Sequence, residues 1–122
     1  MRNVWTMLGA AMLVVTTMAA QTADQRTVTG EVVDLDCRLT KGDGGRGDAH
    51  AACAMTCARK GNQLAILTAD AVYLVEGDYT ANRNAKLLDF VARSVEAKGT
   101  VSERDGAMRI HVASMAVVKN PD

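Results

Sequence analysis

The sequence predicts a mainly β protein with two short helices, an OB-like five-stranded Greek-key barrel with a cysteine-bearing helix inserted between strands 1 and 2. Short segments alternate apolar and polar residues with period two, the pattern of strands half buried in a barrel wall. Two other stretches repeat with helical spacing. The resulting order is strand, helix, strand, strand, helix, strand, strand. Without the first helix, it is the order of a five-stranded Greek-key barrel whose helix lies between strands 3 and 4.

The chain has 122 residues, one proline and a 48% hydrophobic share, which suits one domain of modest stability. Its first twenty residues, MRNVWTMLGAAMLVVTTMAA, combine a basic start at Arg2, an uncharged apolar run from Val4 to Ala20 and small residues at the end. That is the build of a secretory signal peptide, with cleavage expected after Ala19 or Ala20. An uncleaved anchor is the other reading, but the run is shorter than the ~20 apolar residues that span a bilayer. The expected product, residues 21–122, is periplasmic or secreted and keeps no stable membrane anchor.

From Val28 the first strand, VTGEVVDLDC, alternates through Gly30 to Val32 and then changes phase to Val33 and Leu35, which predicts a bulge bending the strand. KGDGGRGD follows and reads as a flexible linker; its aspartates lack the order of a calcium loop. Asp48 is placed to cap the next helix. Arg59 and Lys60 suit its C-terminal dipole, and Gly61 its left-handed stop. QLAILT and AVYLVEG are strands joined by a turn at TAD. NAKLLDFVA spaces Leu87, Phe90 and Val91 as an amphipathic helix. The rest is a hairpin turning at Asp105 and Gly106, with Val95, Ala97, Gly99 and Val101 facing one way on its first strand. Met108, Ile110 and Val112 continue the alternation on the second strand, which leaves His111 on the outer face.

The chemistry is concentrated in DAHAACAMTCARKG. On an ideal helix His50, Cys53 and Cys57 fall within a ~60° arc, because steps of three and four residues return to the same face. Cys37 ends the bent strand, and the glycine-rich linker allows it to fold back over that stripe. Cys37, His50, Cys53 and Cys57 have the composition of a Cys₃His metal site, and thiolates with an imidazole suit zinc or copper. A disulfide is the competing reading, favoured by an oxidising compartment. Cys53 and Cys57 are poorly placed to pair with each other, since helical i,i+4 Cβ atoms lie ~5–6 Å apart and a disulfide needs ~3.5–4.5 Å. Any disulfide therefore uses Cys37 and leaves a thiol over, for an intermolecular bond, as a reactive redox thiol or as a ligand. Covalent haem would require a histidine where Ala58 stands.

The C-x₃-C with a histidine is similar to the copper-binding motif of periplasmic proteins that deliver copper to cytochrome oxidase, without the proline that commonly follows the second cysteine. More broadly, TGEVVDLDC, HAACAMTCARKG, LAILT, YLVEGD and KGTVSERDGAMRIHVASM resemble, in this order, a family of small secreted bacterial proteins built on an OB-like barrel. The resemblance implies the fold, the secreted address and Cys37, His50, Cys53 and Cys57 as motif positions. It implies no activity.

Other function classes are disfavoured. Removing the leader leaves 13 basic against 14 acidic side chains, and aromatics are only 3% of the chain, so neither a phosphate-binding stripe nor a stacking platform for nucleic acid is present. No serine elbow, phosphate loop or carboxylate pair suggests an enzyme, and Asp34 with Asp36 reads as a solvated strand edge. Two classes remain: a metal-binding or metal-handling module, and a disulfide-stapled, non-catalytic module for a protein or small-molecule partner.

Overall fold

The computed structural model describes residues 24–119; the predicted leader, residues 1–20, lies outside them. The strands are β1 (Asp24–Asp34), β2 (Leu64–Leu67), β3 (Val72–Glu76), β4 (Ser94–Arg104) and β5 (Ala107–Val117). They close into a barrel in the order β1-β2-β3-β5-β4, parallel between β3 and β5 and antiparallel elsewhere. The OB-like architecture predicted above is therefore the one observed.

Closure depends on β1, which pairs with β4 from Asp24 to Glu31 and with β2 from Glu31 to Asp34. Gly30 lies where one partner gives way to the other. A Cβ there would collide with the Leu67 carbonyl and come within 2.9 Å of Ile66 Cγ2. Only a glycine lets β2 approach so closely at this corner. No register shift occurs in β1 against either partner. The phase change at Val33 and Leu35 instead marks the end of the strand, because Leu35 already belongs to a helix, α1 (Leu35–Lys41).

Val28, Val32, Leu64, Ile66, Val75, Val95, Ala97, Val101, Ile110 and Val112 form the barrel interior, as period-two alternation requires. Leu87 and Val91 pack against it, and so do Ala54 and Ala58 of a second helix, α2 (Ala51–Arg59). Val33 and Ala65 face each other across β1 and β2 and are also buried, at 2% and 0% exposure. Their alternation relative to Val32 and Ile66 puts them on the opposite face of the sheet.

The segment predicted as an amphipathic helix departs from expectation. Asn82, Arg83 and Asn84 are all left-handed (φ 53°, 54° and 62°), and only a 3₁₀ turn, Leu88–Phe90, follows. Beyond Glu31, β1 has lost β4 as a partner, and residues 91–93 take its place. Ala92 N–H donates to the Val32 carbonyl at 2.8 Å and Val32 N–H to the Arg93 carbonyl at 3.0 Å. Satisfying those buried backbone groups draws the chain out of helix. Leu87 and Val91 are nonetheless buried, so the apolar reading is correct although the period is not.

Asp105 and Gly106, with φ of 55° and 75°, make the tight hairpin turn expected between β4 and β5. A register shift follows at Lys98/Gly99, where Gly99 lies against the His111 backbone. Replacing Gly30 with alanine forces β1 and β2 apart. The urea midpoint should fall at unchanged slope, by an amount equivalent to about 1–3 kcal/mol of stability.

Candidate metal centre

The excursion from β1 to β2 carries every cysteine. Asp34 is its starting joint: extended at φ −74° and ψ 125°, it caps α1, its Oδ1 accepting from the Cys37 N–H at 2.8 Å. Cys37 therefore sits in the first turn of a helix rather than at the end of a strand. Asp34 itself is fully buried, whereas Asp36 is exposed, which corrects the reading of the two as a solvated edge. The Asp-x-x-Cys spacing is that of an N-cap and the N–H it serves, a signal present in the sequence.

The glycine-rich segment is ordered into a turn rather than a plain linker. Gly42, at φ 57°, ends α1 and donates to the Arg38 carbonyl. Residues Gly42–Gly45 form a 3₁₀ turn, and Gly45 packs directly on the Cys37 carbonyl, where any Cβ would collide. The Gly47 N–H donates to Glu31 Oε2 at 3.0 Å, tying the returning chain to β1.

Asp48 opens a 3₁₀ turn, Asp48–His50, and makes no side-chain cap; α2 begins only at Ala51. Ala54 and Ala58 are its core face, which leaves Cys53 exposed and Cys57 half-buried. Gly61 supplies the predicted left-handed stop at φ 89°, donating to the Ala58 carbonyl at 3.0 Å, while Asn62 N–H donates to the Cys57 carbonyl at 3.3 Å. Buried Asn84 fastens this end, its Nδ2 donating to the carbonyls of Ala58 and Asn62 at 3.0 and 2.9 Å.

These constraints bring the sulfurs of Cys37, Cys53 and Cys57 within 4.8 Å of one another, and all three are free thiols. Tetrahedral zinc–thiolate bonds of ~2.3 Å place sulfurs about 3.8 Å apart, so contraction by roughly 1 Å turns the trio into a ligand set. His50 is not in that group of mutually close donors. It is 7% exposed, and its Nε2 is buried without a hydrogen-bond partner. His111 is exposed, as read from the alternation, and packs over Gly77.

Burial first, and then the neighbouring Asp34 carboxylate, push the Cys37 thiol up from 9.0 to about 12. Comparison of the chain with protein-family models, with curated proteins and with solved structures finds no match. What the fold and site define is thus a small closed β-barrel with a three-thiol cluster on its β1–β2 excursion. No helix among the described residues is long and apolar enough to cross a membrane.

Two outcomes follow for the metal-free, reduced protein. Alkylation near neutral pH should modify Cys53 first and Cys37 last, as read by peptide mass. The Cys37 thiol ionises near 9.0 when unfolded and about 12 when folded, so its contribution to stability is full below pH 9 and is lost as pH rises towards 12. Denaturation midpoints measured across that window should fall, and should fall less in Cys37→Ala.

Proposed function

We propose that the chain is a small, non-catalytic, periplasmic or secreted module that binds one thiophilic transition-metal ion, zinc or copper(I), through Cys37, Cys53 and Cys57, with His50 as the fourth donor. The observation that carries the reading is the convergence of three free thiols from two separate helices within 4.8 Å. Buried His50, with an unpartnered Nε2, supports the fourth position, since buried polar atoms are rarely left without a partner. Thiolate and imidazole donors select zinc or copper(I) over calcium or magnesium.

The exposure is graded, with Cys37 buried, Cys57 half-buried and Cys53 exposed. Structural zinc sites are closed by four protein ligands. A ligand at the surface instead gives an incoming donor access to the ion, which supports binding and release over permanent stapling. The apolar leader supports the secreted address.

Metal analysis on protein recovered from its own compartment without reductant should find one equivalent of zinc or copper. Cys37→Ser, Cys53→Ser and Cys57→Ser should each weaken retention by roughly a hundredfold, a one-ligand share of a structural zinc site's binding energy, and His50→Ala should weaken it less. Retention should also fall with pH, because protons compete for the thiolates. Metal-free protein with one disulfide from Cys37, indifferent to His50→Ala, would overturn this in favour of a stapled module for a protein or small-molecule partner. Intact mass should show cleavage near Ala20; a cytoplasmic form retaining Met1 would remove the secreted address.

A further inference from the structure

Strand β3 carries apolar side chains on both faces of the barrel wall. Val75 belongs to the core, whereas Leu74 continues the outer row of Val33 and Ala65, and Val72 shares its face. Val33 and Ala65 are buried; Val72 and Leu74 are only half-buried and line a cleft of about 370 Å³ with Leu35 and Leu39 of α1 and Met108 of β5. Leu39 stands one helical turn beyond Leu35 and is 74% exposed, a large apolar side chain beside an opening that nothing among the described residues fills. A second cleft, of about 360 Å³, adjoins the first across Arg38 and Val72, which line both. Its other walls are Arg46 and the β2–β3 turn, with Asp70. Arg38 approaches Asp43 at 3.7 Å, beyond hydrogen-bond reach, and its Nε is buried without a partner. Arg46 and Asp70 have no part in the ion pairs among the described residues, which join Asp24 to Arg26, Asp43 to Arg38, and Glu76 to Arg104 and Arg109. A guanidinium stays charged throughout the pH range in which proteins fold, and offers five donors in a planar fork.

We propose that the two clefts form one site for a small amphiphilic anion, an aliphatic chain that ends in a carboxylate. The chain lies over Leu39, Val72 and Leu74, and the carboxylate meets Arg38 and Arg46. Charge selects the head, because a covered guanidinium donor without a partner is costly and a carboxylate matches its fork. Asp70 lines the same cleft, which favours a monoanion over a phosphate dianion. The Thr68 hydroxyl does not compete for the head: it accepts from the Asp70 and Ala71 N–H groups and donates to the Ala71 carbonyl. Apolar walls select the tail, and each cleft is of the size that small ligands occupy. An extended peptide would lack the main-chain pairing that holds it to a sheet edge, since β3 is already paired with β2 on one side and β5 on the other. None of the three cysteines lines either cleft, so the site stands apart from the metal reading.

The test is calorimetric titration of protein recovered from its own compartment, with decanoate below its micelle concentration as the probe. Decanoate should bind at one site, and decanol and acetate each at least roughly tenfold more weakly, because one lacks the charged head and the other the tail. Arg46→Gln should weaken decanoate roughly tenfold and leave decanol unchanged, whereas Leu39→Ser should weaken both by a similar factor. Both side chains are exposed, so neither change threatens the fold. Cys53→Ser should bind decanoate as wild type does, which keeps this outcome separate from that of the metal site. Absence of decanoate binding, an affinity indifferent to Arg46→Gln, or equal binding of decyltrimethylammonium, the mark of adsorption by any detergent, overturns the proposal. Tighter binding of an apolar peptide with a free C-terminal carboxylate, or self-association that decanoate does not disperse, would assign the cleft to a protein partner or a second copy and overturns it as well.

Discussion

The hydrogen bond from the Cys37 amide to the Asp34 carboxylate is the joint on which the site is built. It ends β1 and starts α1 within one residue, and so determines where the first thiol stands relative to the barrel. An ordinary cap contributes about 1 kcal/mol. Here it also fixes direction, because α1 has only seven residues and would not hold a helix by itself. Everything downstream, from the glycine turn to α2, closes against the position this joint gives to Cys37.

Close backbone approach does the remaining work. Gly30 lets β1 pass from β4 to β2 without breaking register, and Gly45 lies on the Cys37 carbonyl. The Glu31 side chain, at the same corner of β1, receives the Gly47 N–H. The barrel corner and the return of the cysteine loop are thus mechanically one feature. The alanine-rich core face of α2 fits this arrangement, since small residues at positions 54 and 58 allow the helix to lie close to the barrel core.

The chemistry of the cluster follows from unequal burial. The deepest thiol, Cys37, is held protonated by its burial in the metal-free protein, whereas Cys53 meets solvent. On the proposed metal reading, loading the site would require displacing a proton from a covered sulfur, for which only an ion with high affinity for thiolate would suffice. Release would begin at the exposed end. A tight inner ligand and an accessible outer one would let such a site hold an ion and surrender it to another donor.

By itself the sequence determined the strands, the hairpin at Asp105 and Gly106, the helix stop at Gly61 and the shared helical face of Cys53 and Cys57. All of these rest on local propensity, turn chemistry or a periodic spacing that survives in any context. Tertiary structure decided the rest. The stretch around Leu87 and Val91 gave up helix because Val32 needed backbone partners that β4 no longer supplied. Asp48 lost its capping role because a 3₁₀ turn delays α2 to Ala51, and His50, in that turn rather than on α2, is not in the group of mutually close donors. Asp34, which with Asp36 reads as a solvated strand edge, is buried because β1 runs on into the barrel end before the helix begins. Burial of a single polar side chain depends on which elements close over it, and no local pattern in the sequence carries that information.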